Sequence, residues 1–126
     1  MKNLQVKFPL IEDIKMEVSN KYGMIQPEQS ETQAVRAVFI IDSKGIIRTI
    51  LYYPQFTGRN FDEIKRIILA LQKTDKDSCA TPADWRPGDD VIVPLAQTVE
   101  KAEERVKDGK DGDYCLDWFM CFKKDK

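Results

Sequence analysis

Three cysteines, Cys79, Cys115 and Cys121, are the candidate redox groups of this chain, and no histidine accompanies them. Without histidine, Ser-His-Asp and Cys-His catalysis are excluded within these 126 residues, as is every histidine-containing metal site. An odd cysteine count in a chain with no visible secretory leader argues against a disulfide framework. What remains is thiol redox chemistry or simple burial, since free cysteine is among the most buried residue types. Two arginines stand out by position. Arg36 lies inside the apolar run Val35 to Ile41, where a charge is costly unless it is paired or functional. Arg59 precedes a helix start, the positive end of the helix dipole, which is mildly unfavourable for a cation. The plainer readings stay open beside these. Arg36 could be a strand-end side chain reaching water, and Arg59 a solvated residue at a helix start.

The elements that would position these groups follow from spacing. Lys7 to Ile11 is short and apolar with Pro9 inside it, which predicts a short edge strand. Asp13 is placed to cap a helix carrying Ile14, Val18 and Tyr22, and Gly23 would stop it. Residues 26–33 are polar and read as a loop. Val35 to Ile41 is β-branched and almost continuously apolar, the pattern of a central strand buried on both faces. Asp42-Ser43-Lys44-Gly45 is a turn, and Ile46 to Tyr53 returns as the second strand of a hairpin. Asn60 is a cap for a helix over Phe61 to Lys73, with Glu63 three residues on. Phe61, Ile64, Ile68 and Leu71 form its apolar stripe, which should pack on the hairpin.

The character changes after Thr74. Cys79 to Pro94 holds three prolines and a glycine and reads as extended and irregular. Leu95 to Lys107 is helical, Lys107 to Asp113 is a charged linker, and Tyr114 to Phe122 is an aromatic cluster containing two of the cysteines. This last third has few core residues and suits an arm wrapped over a second subunit. The order β-α-β-β-α followed by an arm describes an α/β chain. It is the second half of a thioredoxin-like fold, divided as residues 1–75 and an arm over 76–126.

Composition narrows the class. The chain is 42% hydrophobic and 33% charged with net charge −1, which suits a globular protein and gives a nucleic acid no basic face. No apolar run approaches the roughly 20 residues that span a bilayer. A cytoplasmic location is expected, with no nucleic-acid or membrane partner.

Four stretches carry a resemblance. They are Phe8-Pro9-Leu10-Ile11 with the helix to Tyr22-Gly23-Met24, Val35 to Asp42, Thr57-Gly58-Arg59-Asn60-Phe61-Asp62-Glu63-Ile64, and Ala80-Thr81-Pro82-Ala83-Asp84-Trp85. Together and in this spacing they resemble the peroxiredoxins, specifically the one-cysteine-like class with a long C-terminal extension. The resemblance covers nearly the whole chain, and its tail is similar to that of archaeal and thermophile members, with two cysteines six residues apart. It implies thiol-dependent reduction of hydrogen peroxide or organic hydroperoxides, with no cofactor and no metal. It implies that Arg36 and Arg59 support the thiolate and the peroxide. Cys121 would resolve a partner chain's sulfenic acid, or alternatively staple the tail. Cys115 would assist or be structural, and Cys79 would be structural. A thiol reductant such as a thioredoxin-type protein is implied, as is a homo-oligomer or a complementing N-terminal half.

The resemblance has one large gap. The family's catalytic motif is Pro-x-x-x-Thr/Ser-x-x-Cys. Three residues before Cys79, Cys115 and Cys121 stand Lys76, Gly112 and Trp118, so none of the three fits. The expectation is therefore the C-terminal part of a peroxiredoxin, without the peroxidatic cysteine. The alternative is a non-catalytic fragment that folds or oligomerises through peroxiredoxin dimer surfaces. A thioredoxin-like electron donor is disfavoured, because no Cys-x-x-Cys occurs.

Overall fold

The computed structural model describes all residues except 1–4, 29, 31–32, 109–113 and 126. It comprises two compact units, Met1–Arg59 and Asn60–Lys126.

The first unit holds α1 (Glu17–Lys21), β1 (Arg36–Ile41) and β2 (Ile47–Tyr53). The hairpin forms where the β-branched runs predict it, with Phe39 opposite Ile50 and Ala37 opposite Tyr52. Its turn is fastened by Asp42, whose carboxylate accepts the backbone N–H groups of Lys44 (2.9 Å) and Ile46 (3.0 Å). These bonds, that of Ile46 first, hold the Asp42 carboxyl below its ordinary pKa. Gly45 takes φ +79°, which a side chain would resist.

Three expectations in this unit need correcting. Residues 7–11 form no strand and are exposed, because Pro9 removes a donor and nothing among the described residues pairs with them. The first helix is shorter than its apolar spacing suggests. Asp13 stands four residues before Glu17 and reaches the first turn from outside, accepting from Val18 N (2.9 Å) and Ser19 N (2.7 Å). The helix stops at Gly23 (φ +63°), with Met24 N–H bonded to the Ser19 carbonyl at 2.8 Å, a Schellman ending. Finally, β1 is not buried on both faces. Among the described residues it pairs with β2 alone, and its interior positions are half-buried. Tyr22, Phe39 and Tyr52 make successive edge-on contacts of 4.9 and 5.8 Å, and Val35 is buried.

The second unit begins with α2 (Phe61–Asp77), about one turn longer than the helix predicted over Phe61 to Lys73. Asn60 caps it as expected, its side-chain oxygen accepting Glu63 N–H at 3.1 Å. The buried face is not the predicted stripe, since Phe61 and Ile68 are exposed while Leu69 and Ala70 pack against Trp85, Val91 and Cys79. The hairpin expected to cover the stripe belongs to the other unit. Beyond α2 come β3 (Val91–Ile92), α3 (Val99–Asp108), β4 (Tyr114–Asp117) and β5 (Met120–Lys123). The three strands form an antiparallel sheet in the order β3-β5-β4. The last third is therefore not poor in core, because Trp85, Val91 and Cys121 are among the most buried apolar residues described. The helix over Leu95 to Lys107 begins later than predicted, at Val99. Most of the predicted charged linker, residues 109–113, lies outside the described residues.

Much apolar surface stays wet. Ile14 is 82% exposed and Phe56 99%, with Phe8, Leu10, Ile11 and Phe61 also open. Burying each such side chain is worth about 1.5–3 kcal/mol, so association through these faces has a large driving force. Sedimentation of the chain expressed alone is expected to report an assembly rather than a monomer. A compact monomer with cooperative unfolding would contradict this.

Candidate functional site

Arg36 opens β1 rather than sitting in its middle, and it is exposed. The argument from a costly buried charge therefore fails, because the strand starts at this residue. Its Nε donates to the Gln55 carbonyl at 2.6 Å, which ties it to the end of β2. Arg36, Gln33, Ala34, Gln55 and Phe56 line a cavity of about 340 Å³. The side-chain Nε2 of Gln55 is buried with no hydrogen-bond partner among the described residues. A buried amide donor without a partner is uncommon and costly. Gln55 was not singled out from the sequence, although a polar residue between the aromatic end of β2 and Phe56 is the signal that could have found it. Arg59 is half-buried at the end of the same unit, next to the Asn60 cap. Both arginines thus belong to the first unit, and the three cysteines to the second.

Cys115 and Cys121 face each other across β4 and β5 and are joined by a disulfide, with Cα atoms 3.9 Å apart. The odd cysteine count had argued against a disulfide framework. The pairing comes instead from a tight hairpin that brings a six-residue spacing into direct opposition. Cys121 is 0% exposed, and its backbone carbonyl accepts Val93 N–H at 2.8 Å. The hairpin turn is held from α3 by Arg105. This guanidinium is 5% exposed and donates to the Pro94 (2.7 Å) and Trp118 (3.4 Å) carbonyls. Arg105 was also missed, although it follows Ala102 by three residues and so falls on that helix face. Lys73 on α2 bridges Asp77 at 2.6 Å and also binds Asp125, which anchors the chain just after β5. Those hydrogen bonds, that to Asp125 first, push the Lys73 ammonium pKa well up.

Cys79 is a free thiol, part-buried against the Ala70–Trp85–Val91 cluster. Burial is the main cause that raises its pKa. It is thus kept as a thiol at neutral pH, the opposite of an activated nucleophile. Iodoacetamide is expected to alkylate Cys79 several-fold more slowly than an unfolded cysteine peptide. Alkylation at the peptide's rate would place the sulfur at the surface. Among the described residues no cluster of metal-binding side chains occurs, and no helix is long and apolar enough to cross a membrane.

Residues 1–50 match the model of the AhpC/TSA family, and residues 70–109 match that of the C-terminal domain of 1-Cys peroxiredoxin. A peroxiredoxin of Methanosarcina mazei is 62% identical over 99% of this chain and 57% of its own length. Peroxiredoxin 2 of Caldanaerobacter subterraneus is 50% identical over 96% of the chain and 54% of its own. The chain thus spans a little over half the length of these curated relatives. Among solved structures, a yeast mitochondrial 1-Cys peroxiredoxin superposes with TM-score 0.69 at 35% identity, covering 87% of this chain and 53% of that one. Peroxiredoxin 6 of Arenicola marina gives 0.62 at 41% identity, over 72% and 43%. These likenesses identify the α/β architecture as thioredoxin-like. Two peroxiredoxin-type models matched in series, and close relatives along almost its whole length, support the peroxiredoxin family for this chain.

Proposed function

We propose that this chain supplies the arginine-bearing part and the cysteine arm of a thiol-dependent peroxidase for hydrogen peroxide and organic hydroperoxides, working in the cytoplasm. The observation that carries the reading is the 62% identity to a peroxiredoxin along 99% of the chain. In this reading the peroxidatic cysteine comes from a Pro-x-x-x-Thr/Ser-x-x-Cys segment that these 126 residues do not contain. Residues 1–75 would complete the thioredoxin-like sheet with that segment, and residues 76–126 would form the arm toward a second subunit.

The chemistry assigns each group a task. The peroxidatic thiolate attacks one peroxide oxygen, the O–O bond breaks, and the sulfur becomes a sulfenic acid while the other oxygen leaves as water or an alcohol. Arg36 and Arg59 lower the thiol pKa and stabilise charge moving onto the leaving oxygen. In this reading the Gln55 amide, unpartnered among the described residues and lining the same cavity as Arg36, steadies that end of the site. Cys121, once reduced, attacks the sulfenic sulfur and expels water to give an intersubunit disulfide. A thiol reductant such as a thioredoxin-type protein then restores both thiols.

The test is a chimera that joins this chain to the portion of the Methanosarcina mazei relative it does not match. Peroxide consumption is expected, and Arg36→Ala and Arg59→Ala should each lower it by roughly 10²–10³, as for loss of one charge-stabilising donor. A folded but inactive chimera would favour the alternative of a non-catalytic module that assembles through peroxiredoxin surfaces. Unchanged rates in both variants would remove the arginines from the site.

A further inference from the structure

The two sulfurs of the Cys115–Cys121 disulfide are not equivalent. Cys121 lies on β5, the middle strand, flanked by β3 on one side and β4 on the other, and is 0% exposed. Cys115 lies on β4, which has no second strand neighbour among the described residues, and it keeps part of its surface open. On the same hairpin Leu116, Trp118 and Phe119 are exposed. The hairpin turn that would have to swing out to uncover Cys121 is pinned by Arg105 through the Trp118 carbonyl.

We propose that this disulfide is a redox-active pair with a fixed polarity, opened by a dithiol protein that attacks Cys115 and never Cys121. A thiolate must approach a sulfur along the S–S axis, so access selects the sulfur attacked. The incoming thiolate bonds to Cys115 Sγ and the Cys115–Cys121 bond breaks. The electron pair leaves on Cys121 Sγ, which takes a proton from water. The Asp117 carbonyl, 3.8 Å from that sulfur, is there to accept the new S–H. The reductant's second thiol then attacks its own mixed-disulfide sulfur, releasing Cys115 as a thiol and leaving the reductant oxidised to its disulfide. Two electrons pass from the reductant to the pair. The exposed apolar side chains of this hairpin suit a protein reductant with an uncharged face better than a small charged thiol.

Reduction need not dismantle the arm. β5 stays paired with β3 at Val91–Lys123 and Ile92–Phe122, Val93 N–H still bonds the Cys121 carbonyl, and Lys73 still holds Asp125. β5 therefore keeps its place after the bond opens, and the edge strand β4 is the side free to move off Cys121. This rests on the proposed resolving role of Cys121, because it says how that thiol is freed from Cys115 before it attacks. Its test uses no peroxide, so the two readings fail separately.

The chain, purified without reductant, is incubated anaerobically with a thioredoxin-type protein whose second active-site cysteine is replaced by serine. This probe stalls at the mixed disulfide, and proteolytic mapping locates the bond. A mixed disulfide on Cys115 with Cys121 free is the expected result. A mixed disulfide on Cys121 would overturn the polarity. A Cys115–Cys121 bond that survives the probe would make the pair a structural staple and overturn the proposal. So would finding both cysteines as free thiols before the probe is added.

Discussion

Purified as these 126 residues, the chain is expected to consume hydrogen peroxide no faster than an ordinary thiol. Enzymes accelerate reactions by at least about 10⁶-fold, and here all of that acceleration should be missing. Each sulfur is accounted for. Burial raises the Cys79 pKa, so at neutral pH it offers less thiolate than a free cysteine with a pKa of about 8.5. Cys115 and Cys121 are bonded to each other. After reduction, Cys121 has no sulfenic acid of a peroxidatic cysteine to attack, because these 126 residues hold no Pro-x-x-x-Thr/Ser-x-x-Cys segment. No cysteine stands three residues after a threonine or serine that could orient a peroxide. A coupled peroxide assay with excess reductant checks this. Rapid turnover by the chain alone would move the nucleophile to one of these three cysteines.

Replacing Trp85 by alanine is expected to remove about 3–5 kcal/mol from the stability of the second unit. Trp85 is 3% exposed, packs with Ala70 and Val91, and donates its indole N–H to the Asp89 carbonyl at 3.0 Å. Its own carbonyl accepts from Arg66 of α2 at 3.5 Å, and that arginine is held by Glu63 in two bonds of 2.7 and 2.9 Å. Alanine leaves a cavity and removes the hydrogen bond to the Asp89 carbonyl. Against a total of about 5–15 kcal/mol for a domain, that loss is close to unfolding. Trp85→Phe should cost less, since the volume is mostly kept and one hydrogen bond is lost. Denaturant midpoints of the two variants measure the difference. A change below about 1 kcal/mol for Trp85→Ala would show that the arm is not held through this side chain.

What could be read from the sequence was local. The hairpin depends on two adjacent β-branched runs and a four-residue turn, all within 19 positions, so Val35 to Tyr53 could be placed without a structure. The Asn60 cap depends on one side chain and an N–H three residues on, and it too was legible. The sheet of the second unit was not. Val91–Ile92 is only two residues long, and its partner β5 lies about thirty residues further on, with no spacing rule linking them. The disulfide was hidden for the same reason, because a six-residue gap between cysteines has no fixed meaning until a turn places them opposite each other. The burial of Leu69 and Ala70 over the Phe61 stripe was decided by Trp85, which the sequence offered as part of a motif and not as core. For the site, the residue types of Arg36 and Arg59 were readable by resemblance. The exposed start of β1 at Arg36 and the stranded Gln55 amide required coordinates.

The strand order of the second unit sets a timetable for its birth. β5 is the strand with which both β3 and β4 pair, and it leaves the ribosome after either of them. At about 5–20 residues per second, the stretch from Ile92 to Met120 takes roughly one to six seconds to synthesise. During that interval β3 has no strand to join, and Asp125, which Lys73 will hold, does not yet exist. β3 and β4 therefore join the sheet only after β5 has been made. A nascent chain stalled within this window would present the unpaired edge of β3 to whatever chaperone waits at the tunnel exit.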